Sequence, residues 1–417
     1  MYGENWVLAK EAFENSGLRF VQVDDINSFE SGDIYNPETN EISKVNIDEA
    51  IGTEKSTDNE NYVDSFINNK QVMLLTTINN GNNVLNYGTI KEPNINNFTS
   101  INPQILPNNS FICNEINKKN DKIFFNYIYL IDSKRNVQQK IFVPNLHHEC
   151  IYGSNTPRYY TPAFDYDKKA NTNFLYLERY LTQKKSICYY DFWDDRIVEC
   201  DIKGNILWQW QAADHFDDFC FNKKQKEEIK KCNRVNTYIG EAAPYLRTNS
   251  VCCLGENKWY DAGDERFRPE NLICSSKQHS MIWIIDKSTG KIVWLVKNDK
   301  FKSPFFRQHY VHMIPQGLQG TGNILLLDNG NDTRGFSRLL EFEPINLQIV
   351  HSFILPYNES TGSVQVLPNG NYLIALSKIG VILELSRNGL ILKKQDLGYR
   401  FTRANYIPDE WNRFKKD

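Results

Sequence analysis

Residues 282–294 read IWIIDKSTGKIVW and carry the clearest structural pattern in the chain. Four apolar residues precede a turn that contains Asp286 and Gly290, and a second apolar segment ends at Trp294. Short apolar, β-branched segments on both sides of a Gly-containing turn are typical of a β-hairpin. Residues 197–208, IVECDIKGNILW, repeat the same order of strand, Asp, Gly-containing turn and strand ending in Trp.

Hairpins of this kind recur along most of the chain, near residues 72–88, 122–143, 188–210, 272–296, 322–354 and 371–395. Asp132, Asp201 and Asp286 stand at corresponding places in three of them. Repeated antiparallel hairpins without alternating helices indicate a meander, and six units predict a six-bladed β-propeller. We therefore expect an all-β chain in which residues 66–417 form the propeller.

Two segments fall outside this pattern. Residues 1–65 are acidic and show no sustained hydrophobic period, so we expect a short N-terminal extension or cap. Within it, residues 6–15 predict one short helix. Residues 223–231, KKQKEEIKK, predict a second short helix in an insertion, with its charges facing solvent.

Composition narrows the function classes. The chain has 417 residues, a hydrophobic share of 41% and a net charge of −3, which favours neither a nucleic-acid partner nor a membrane surface. No run of 18 apolar residues predicts a transmembrane helix. The nine cysteines include no Cys-x-x-Cys pair, and the first residues do not resemble a signal peptide. We therefore expect free thiols and a cytoplasmic location.

A candidate nucleophile lies in residues 305–312, FFRQHYVH, just before the strand-like residues 323–330, NILLLDNG. The imidazole of His309 stands among aromatic side chains, and an ordinary histidine is largely neutral near pH 7 and can attack an electrophile. Its neighbours Phe306 and Tyr310 could exclude water and offer ring faces to an aryl group. A histidine in such surroundings is also commonly a hydrogen-bonded structural residue, so the residue types alone leave both roles open.

Several short motifs follow one another in a characteristic order. They are the Asp-x-x-Gly-x-x-x-Trp corners, Asn249-Ser250-Val251, Ser275-Ser276-Lys277, Gln308-His309, Asp328-Asn329-Gly330, Ser337-Arg338 and residues 362–371, GSVQVLPNGN. Together, over residues 185–405, they resemble the arylsulfotransferase family, the PAPS-independent aryl-sulfate sulfotransferases.

The resemblance implies a six-bladed propeller with its site at the mouth of the central channel. It implies ping-pong transfer of a sulfuryl group from a small-molecule aryl sulfate to a phenolic acceptor through a sulfated histidine, without a cofactor or a metal. The family's nucleophile falls on His309, and a second family histidine falls on His215, a candidate proton donor. The substrate-binding residues that it implies are Phe306, Gln308, Tyr310 and Asn249.

Two positions depart from the family pattern. A family histidine two residues before the Asn-Ser-Val motif is here Arg247, and the arginine of the Ser-Ser-Arg motif is here Lys277. Lysine lacks the planar fork with which arginine binds an oxyanion, but both cations could bind the sulfuryl oxygens and lower the pKa of His309. Because a family proton donor is missing, the alternative is an inactive propeller that binds an anionic or aromatic ligand or a protein partner.

Two further alternatives have less support in the residues. A quinoprotein-type dehydrogenase would share the Gly-plus-Trp corners, but no residues indicate quinone or metal ligands. The segment His147-His148-Glu149 resembles part of a metal site, yet no third ligand follows at a suitable spacing, so we expect no metal there.

Overall fold

The structure is a computed structural model. It describes residues 104–396 apart from 108–109, 120–121, 133–135, 144 and 233–245, together with residues 31–36, 41–46, 71–75 and 403–407. The helix expected at residues 6–15 and the strand expected at residues 84–88 lie outside these ranges. No helix among the described residues is long and apolar enough to cross a lipid bilayer.

Antiparallel β-sheet is the main regular structure of the described chain. It begins with the hairpin β1 (Ser31–Asn36) and β2 (Glu41–Asn46), followed by β3 (Gln71–Leu75). The first sheet has β4 (Gln104–Ile105), β5 (Phe111–Lys119), β6 (Lys122–Ile131) and β7 (Val137–Phe142). The second sheet has β8 (Leu146–Tyr152), β9 (Phe174–Thr182), β10 (Phe192–Cys200) and β11 (Ile206–Gln211).

Three more four-stranded sheets follow. The third has β12 (Thr248–Cys253), β13 (Leu272–Ser276), β14 (Met281–Ile285) and β15 (Ile292–Lys297). The fourth has β16 (His309–Met313), β17 (Ile324–Asp328), β18 (Ser337–Phe342) and β19 (Ile349–Leu355). The fifth has β20 (Ser363–Val366), β21 (Tyr372–Leu376), β22 (Val381–Leu385) and β23 (Ile391–Asp396), and the last strand is β24 (Arg403–Ile407).

Each four-stranded sheet is a meander in which the strands follow one another in chain order. The first strands of neighbouring sheets contact one another, β12 with both β8 and β16, and β16 with β20. This is the arrangement of blades around the axis of a β-propeller, so the expected fold class is confirmed. β24 pairs with β3 and so joins distant parts of the chain in one sheet. Six blades, and the boundary at residue 66, stay predictions.

The repeated Asp and Gly residues form the turns between the third and fourth strands. The Asp201 carboxylate accepts hydrogen bonds from two backbone N–H groups of its turn, and Asp286 does the same. Gly204 and Gly290 have φ of +87° and +73°, a region that glycine enters without a steric penalty. The Asp-x-x-Gly signature is therefore a turn signal.

The repeated Trp residues hold neighbouring sheets together. The indole N–H of Trp208 donates to the carbonyl oxygen of Lys287 at 2.9 Å, in the matching turn of the next sheet. Trp294 makes the corresponding bond to Pro344 at 3.0 Å. Because the last strands of the second and third sheets are bonded in this way to the following sheet, the same Trp that identifies these hairpins also aligns the blades.

Helices are few and short in the part of the chain that the structure describes. They are α1 (Tyr166–Lys169), α2 (Lys223–Lys230) and α3 (Lys258–Asp261), with 3₁₀ helices at Ala212–Phe219, Glu265–Phe267 and Asn298–Lys300. α2 confirms the helix expected in the insertion, and Asn222 begins it with a capping box. The eight cysteines whose side chains are described are free thiols, and six of them are buried.

Candidate functional site

The backbone is irregular where the first strands of the second to fifth sheets begin. His148, Arg247, Tyr310 and Thr361 have φ of +53°, +82°, +57° and +63°, although none of them is glycine. Register shifts disturb the pairing at the start of β8, β12 and β16. Such conformations cost about 1–3 kcal/mol each and concentrate at functional sites, where a bulge redirects a side chain. This end of the sheets is therefore the candidate site.

His309 is the first residue of β16 and is 7% exposed. Its Nδ1 lies 2.9 Å from the carbonyl oxygen of Arg307 and 2.8 Å from Nδ2 of Asn329. Asn329 Nδ2 has two hydrogens, and it donates to the carbonyl oxygens of Arg307 and Thr361, each at 3.0 Å. We therefore assign Nδ1–H of His309 as a donor to Arg307. Nε2 then carries the lone pair, and it makes no hydrogen bond to any described residue.

Burial lowers the pKa of His309 to about 3, and the positive charges of Lys277, Arg403 and Arg247 act in the same direction. The hydrogen bond to the Arg307 carbonyl opposes them. The imidazole is neutral at pH 7 as a result. A neutral imidazole with a free lone pair beside several cations has the properties of a nucleophile for an anionic substrate.

His312 has a similar environment but a different set of bonds. Burial lowers its pKa to about 3 as well. Its Nδ1 lies 2.8 Å from the carbonyl oxygen of Tyr310, and its Nε2 lies 3.1 Å from the hydroxyl of Tyr159. Both ring nitrogens lie within hydrogen-bonding distance of other groups, so His312 is a structural residue.

The loop that carries His309 is held by a buried polar network. Asp328 Oδ1 accepts the backbone N–H of Phe306 at 2.9 Å, and its Oδ2 pairs with Arg338 at 2.7 Å. Asn358 donates to Asn329 Oδ1 at 2.9 Å. The Asp-Asn-Gly and Ser-Arg motifs of the sequence thus position the loop around the histidine.

Arg247 immediately precedes β12, and Lys277 immediately follows β13, the strand that pairs with β12. Asp195 is buried, and its Oδ2 accepts the backbone N–H groups of Arg247 at 3.1 Å and Thr248 at 2.8 Å. The N–H of Lys277 donates to the carbonyl oxygen of Arg247 at 3.2 Å. A buried carboxylate therefore fixes the strained backbone that brings both cations to His309.

The structure adds His147 and His148, at the start of β8, to this site. Their Nδ1 atoms are 2.8 Å apart, and His147 Nε2 lies 3.7 Å from Asp195 Oδ1. Burial lowers the pKa of His148 well below its usual value, and the charges of Arg179, His309, Arg247 and Arg403 act in the same direction. Among the described residues, no group of three or more His, Cys, Asp or Glu side chains could hold a metal.

Two residues predicted to bind substrate are instead engaged with the protein. Gln308 is fully buried, and its Nε2 donates to carbonyl oxygens of Ser276 at 2.9 Å and Met281 at 3.1 Å. Asn249 is buried, and its Nδ2 donates to the carbonyl oxygen of Gln308 at 2.7 Å. Both amides therefore join neighbouring sheets and position His309.

The two predicted aromatic residues differ in accessibility. Tyr310 is 2% exposed, and the guanidinium groups of Arg158 and Arg403 lie 4.1 Å and 4.6 Å from its ring centre. Its ring is buried against these two groups, and its contact with substrate stays a prediction. Phe306 is half-buried, so its ring keeps a surface that a ligand can contact.

The structure does not bring His215 to His309. His215 lies in the 3₁₀ helix after β11, the outermost strand of the second sheet, which is three strand spacings, or about 14 Å, from β8. Its ring stacks on Trp210 at 4.8 Å, and its Nδ1 lies 3.1 Å from Asp218 Oδ2. The spacing of an Asp-His segment along the chain did not show which strand it follows. The role of His215 as a proton donor stays a prediction, and its position after β11 does not favour it.

His215 lines a separate surface cleft of about 620 Å³. Its lining residues are Lys184, Ser186, Ile187, Ala213, Asp214, His215, Phe216, Asp217, Asp218, Phe221, Lys223, Lys226, Glu227 and Lys230. Two of its lysines pair with carboxylates of the same lining, Lys184 with Asp214 and Lys226 with Asp217. We take His309 as the candidate for the chemistry, because a neutral imidazole and backbone with positive φ occur together there. The lining of the cleft does not combine these two features.

Comparison with protein families gives one match. The model of the family described as Arylsulfotransferase (ASST) matches residues 181–396, slightly more than half of the 417-residue chain. The chain belongs to the arylsulfotransferase family. The matched region of this arylsulfotransferase contains Arg247, Lys277 and His309, whereas His148 and Arg403 lie outside it.

Among solved structures, the arylsulfotransferase chain is similar to propeller domains at low identity. The β-propeller domain of Cps50 (Swd1) from Myceliophteria thermophila is 12% identical, with 74% of this chain and 91% of that chain covered and a TM-score of 0.39. Virginiamycin B lyase from Staphylococcus aureus is also 12% identical, with 82% and 88% covered and a TM-score of 0.39. The Dos1 propeller is 8% identical, with 72% and 58% covered and a TM-score of 0.37. Similarity at this level carries no information on function. A separate comparison with curated proteins finds no match.

Proposed function

We propose that this arylsulfotransferase moves a sulfuryl group from an aryl sulfate to a phenolic acceptor through a covalent intermediate on His309. The supporting observation is the combination of a neutral buried imidazole, an Nε2 without a hydrogen bond to any described residue, and the nearby charges of Lys277, Arg247 and Arg403. A histidine kept neutral among cations suits an attack on an anionic sulfur ester better than it suits a structural role.

In the first half-reaction, His309 Nε2 forms a bond to sulfur, and the bond from sulfur to the aryl oxygen breaks with its electron pair on the oxygen. Lys277 and Arg247 stabilise the negative charge on the sulfuryl and aryl oxygens. The sulfated imidazole keeps its Nδ1–H, and the Arg307 carbonyl, 2.9 Å away, stabilises the positive charge that forms on the ring. As in phosphoryl transfer, positioning and charge supply most of the rate.

In the second half-reaction, the acceptor's phenolic oxygen attacks sulfur and the bond to His309 breaks. His148 replaces His215 as the candidate for the proton transfer. Its lowered pKa keeps it neutral, so its Nε2 can accept the phenolic proton. If His148 Nδ1–H donates to His147 Nδ1, 2.8 Å away, the Nε2 lone pair of His148 is left free for this purpose. A neutral histidine is a poor acid, so we expect a preference for donors whose aryl oxide leaves readily.

The test is incubation of the purified chain with a chromogenic aryl sulfate, with and without a phenol acceptor. We expect acceptor-dependent turnover in the wild type, none in His309→Asn, and unchanged turnover in the matched control His215→Asn. A wild type that binds the aryl sulfate but never releases the phenol would overturn the proposal and would favour the inactive, ligand-binding propeller.

A further inference from the structure

Two guanidinium groups lie close to the Tyr310 ring, at 4.1 Å from the ring centre for Arg158 and 4.6 Å for Arg403. Both pair with the fully buried carboxylate of Glu149. Arg403 binds it with two nitrogens, Nη2 to Oε1 at 2.6 Å and Nη1 to Oε2 at 3.1 Å. Bidentate, buried pairs of this kind fix geometry more strongly than exposed ones.

The two arginines differ in what else they contact. Arg158 Nη1 donates to the carbonyl oxygen of Val251 at 2.9 Å. Arg403 Nη2 instead lies 3.5 Å from the carbonyl oxygen of His148, the residue with the left-handed backbone at the start of β8. The charge of Arg403 acts on both His148 and His309, whereas that of Arg158 acts on His312.

Arg403 also comes from an unusual part of the chain. It is the first residue of β24, which pairs with β3, and Arg403 stands opposite Leu75 in that pairing. It lies outside the matched family region, residues 181–396. The strand β24, which pairs with the distant strand β3, therefore also carries a positively charged residue of the site.

We propose that Arg403 is a positioning residue for sulfuryl transfer, which anchors the turn at His148 through Glu149 and supplies the third positive charge that faces His148 and His309. This inference rests on the proposed function. A cation there has two effects. It holds the base in place, and it opposes protonation of the two histidines that must stay neutral.

Arg403→Met removes both effects, Arg403→Lys keeps the charge but loses the bidentate pair, and Arg158→Met is the matched control. For each variant we would measure kcat and KM from pH 4 to pH 8 and titrate the histidines by NMR. The charged groups that face His309 are Lys277, Arg247 and Arg403. His148 faces the charges of Arg179, Arg247 and Arg403 and the titratable ring of His309. All of these groups are unchanged in Arg158→Met.

For Arg403→Met we expect kcat to fall about 10- to 100-fold with little change in KM for the donor. We also expect the acid limb of the profile and both histidine midpoints to move to higher pH. Arg403→Lys should keep the midpoints near those of the wild type with an intermediate kcat. Arg158→Met should lower thermal stability and leave both midpoints in place, because a purely structural role does not move them.

The inference is overturned if Arg403→Met leaves the midpoints unchanged, or if Arg158→Met moves them equally. If Arg403→Met does not fold, Arg403→Lys decides the question. A wild-type kcat in Arg403→Lys would overturn the anchoring role. A reduced kcat in Arg403→Lys, with unchanged histidine midpoints, would support it. A wild type without transfer activity would contradict the proposed function alone, since the NMR titration still decides whether Arg403 controls the histidines.

Discussion

Replacing Lys277 with methionine should bring the protonation of His309 into a measurable pH range. Lys277 is the strongest of the charges that lower the pKa of His309, which is about 3. An ordinary histidine with a pKa of about 6.5 would be only about one-tenth neutral at pH 5.5. With a pKa of about 3 it is more than about 99% neutral there. Sulfation of the wild type should therefore be flat from pH 8 to pH 5.

In Lys277→Met, burial and the two arginines remain, so the pKa of His309 should rise but stay below that of an ordinary histidine. The acid limb should move to higher pH accordingly. The variant also loses a cation at the sulfuryl oxygens, and removing one such preorganised contact typically lowers the rate about 100- to 1,000-fold. Lys277→Arg is the matched control, because it keeps the charge and adds a second donor; it should retain or improve activity.

The assay is a rapid-quench measurement of stoichiometric phenol release from a chromogenic aryl sulfate without an acceptor, at intervals from pH 4 to pH 8. A wild-type rate that falls tenfold per pH unit below pH 6.5 would show that His309 titrates like an exposed histidine. Identical pH profiles for wild type and Lys277→Met would refute the role of Lys277.

Three other predictions follow from the same geometry. Asn329→Ala should lower kcat about 10- to 100-fold and the free energy of unfolding by about 1–3 kcal/mol, because the carbonyls of Arg307 and Thr361 lose a donor; wild-type kcat would argue against the network. His148→Gln should slow turnover with weakly acidic acceptors, whereas equal loss in all half-reactions would point to misfolding instead of a lost base. Above about pH 6.5, His309 is neutral in both the folded and the unfolded protein. Between about pH 6.5 and the folded pKa of about 3, only the unfolded protein gains the proton. The free energy of unfolding should therefore fall by up to about 1.4 kcal/mol per pH unit as the pH drops through this range, and urea unfolding that is independent of pH there would contradict the burial.

The sequence predicted the third and fourth strands and the turn between them well. Asp286, Gly290 and Trp294 mark a turn and an inter-sheet bond, and these local features are visible as a repeated pattern. The first strands were harder to find. β12 and β16 are short and carry buried polar residues such as Asn249 and His312, whose hydrogen bonds to neighbouring sheets do not show in a hydrophobic pattern.

Prediction of the site was uneven for the same reason. His309 and Arg247 stand in motifs at the strand starts, Lys277 stands in a motif at a strand end, and the fold brings the three together. His148 and Arg403 are distant in sequence, and only the closure of the sheets places them there. The one available signal was that His147-His148 precede an apolar segment, as Gln308-His309 do, and that signal would have distinguished them from His215.

The most direct test is mass spectrometry of the protein after brief incubation with an aryl sulfate and no acceptor. We expect one sulfuryl group, labile in acid, on the peptide that contains His309. It should disappear when a phenol is added, and it should be absent from His309→Asn. Turnover without any adduct, or an adduct on another residue that persists in His309→Asn, would contradict a sulfohistidine at this position.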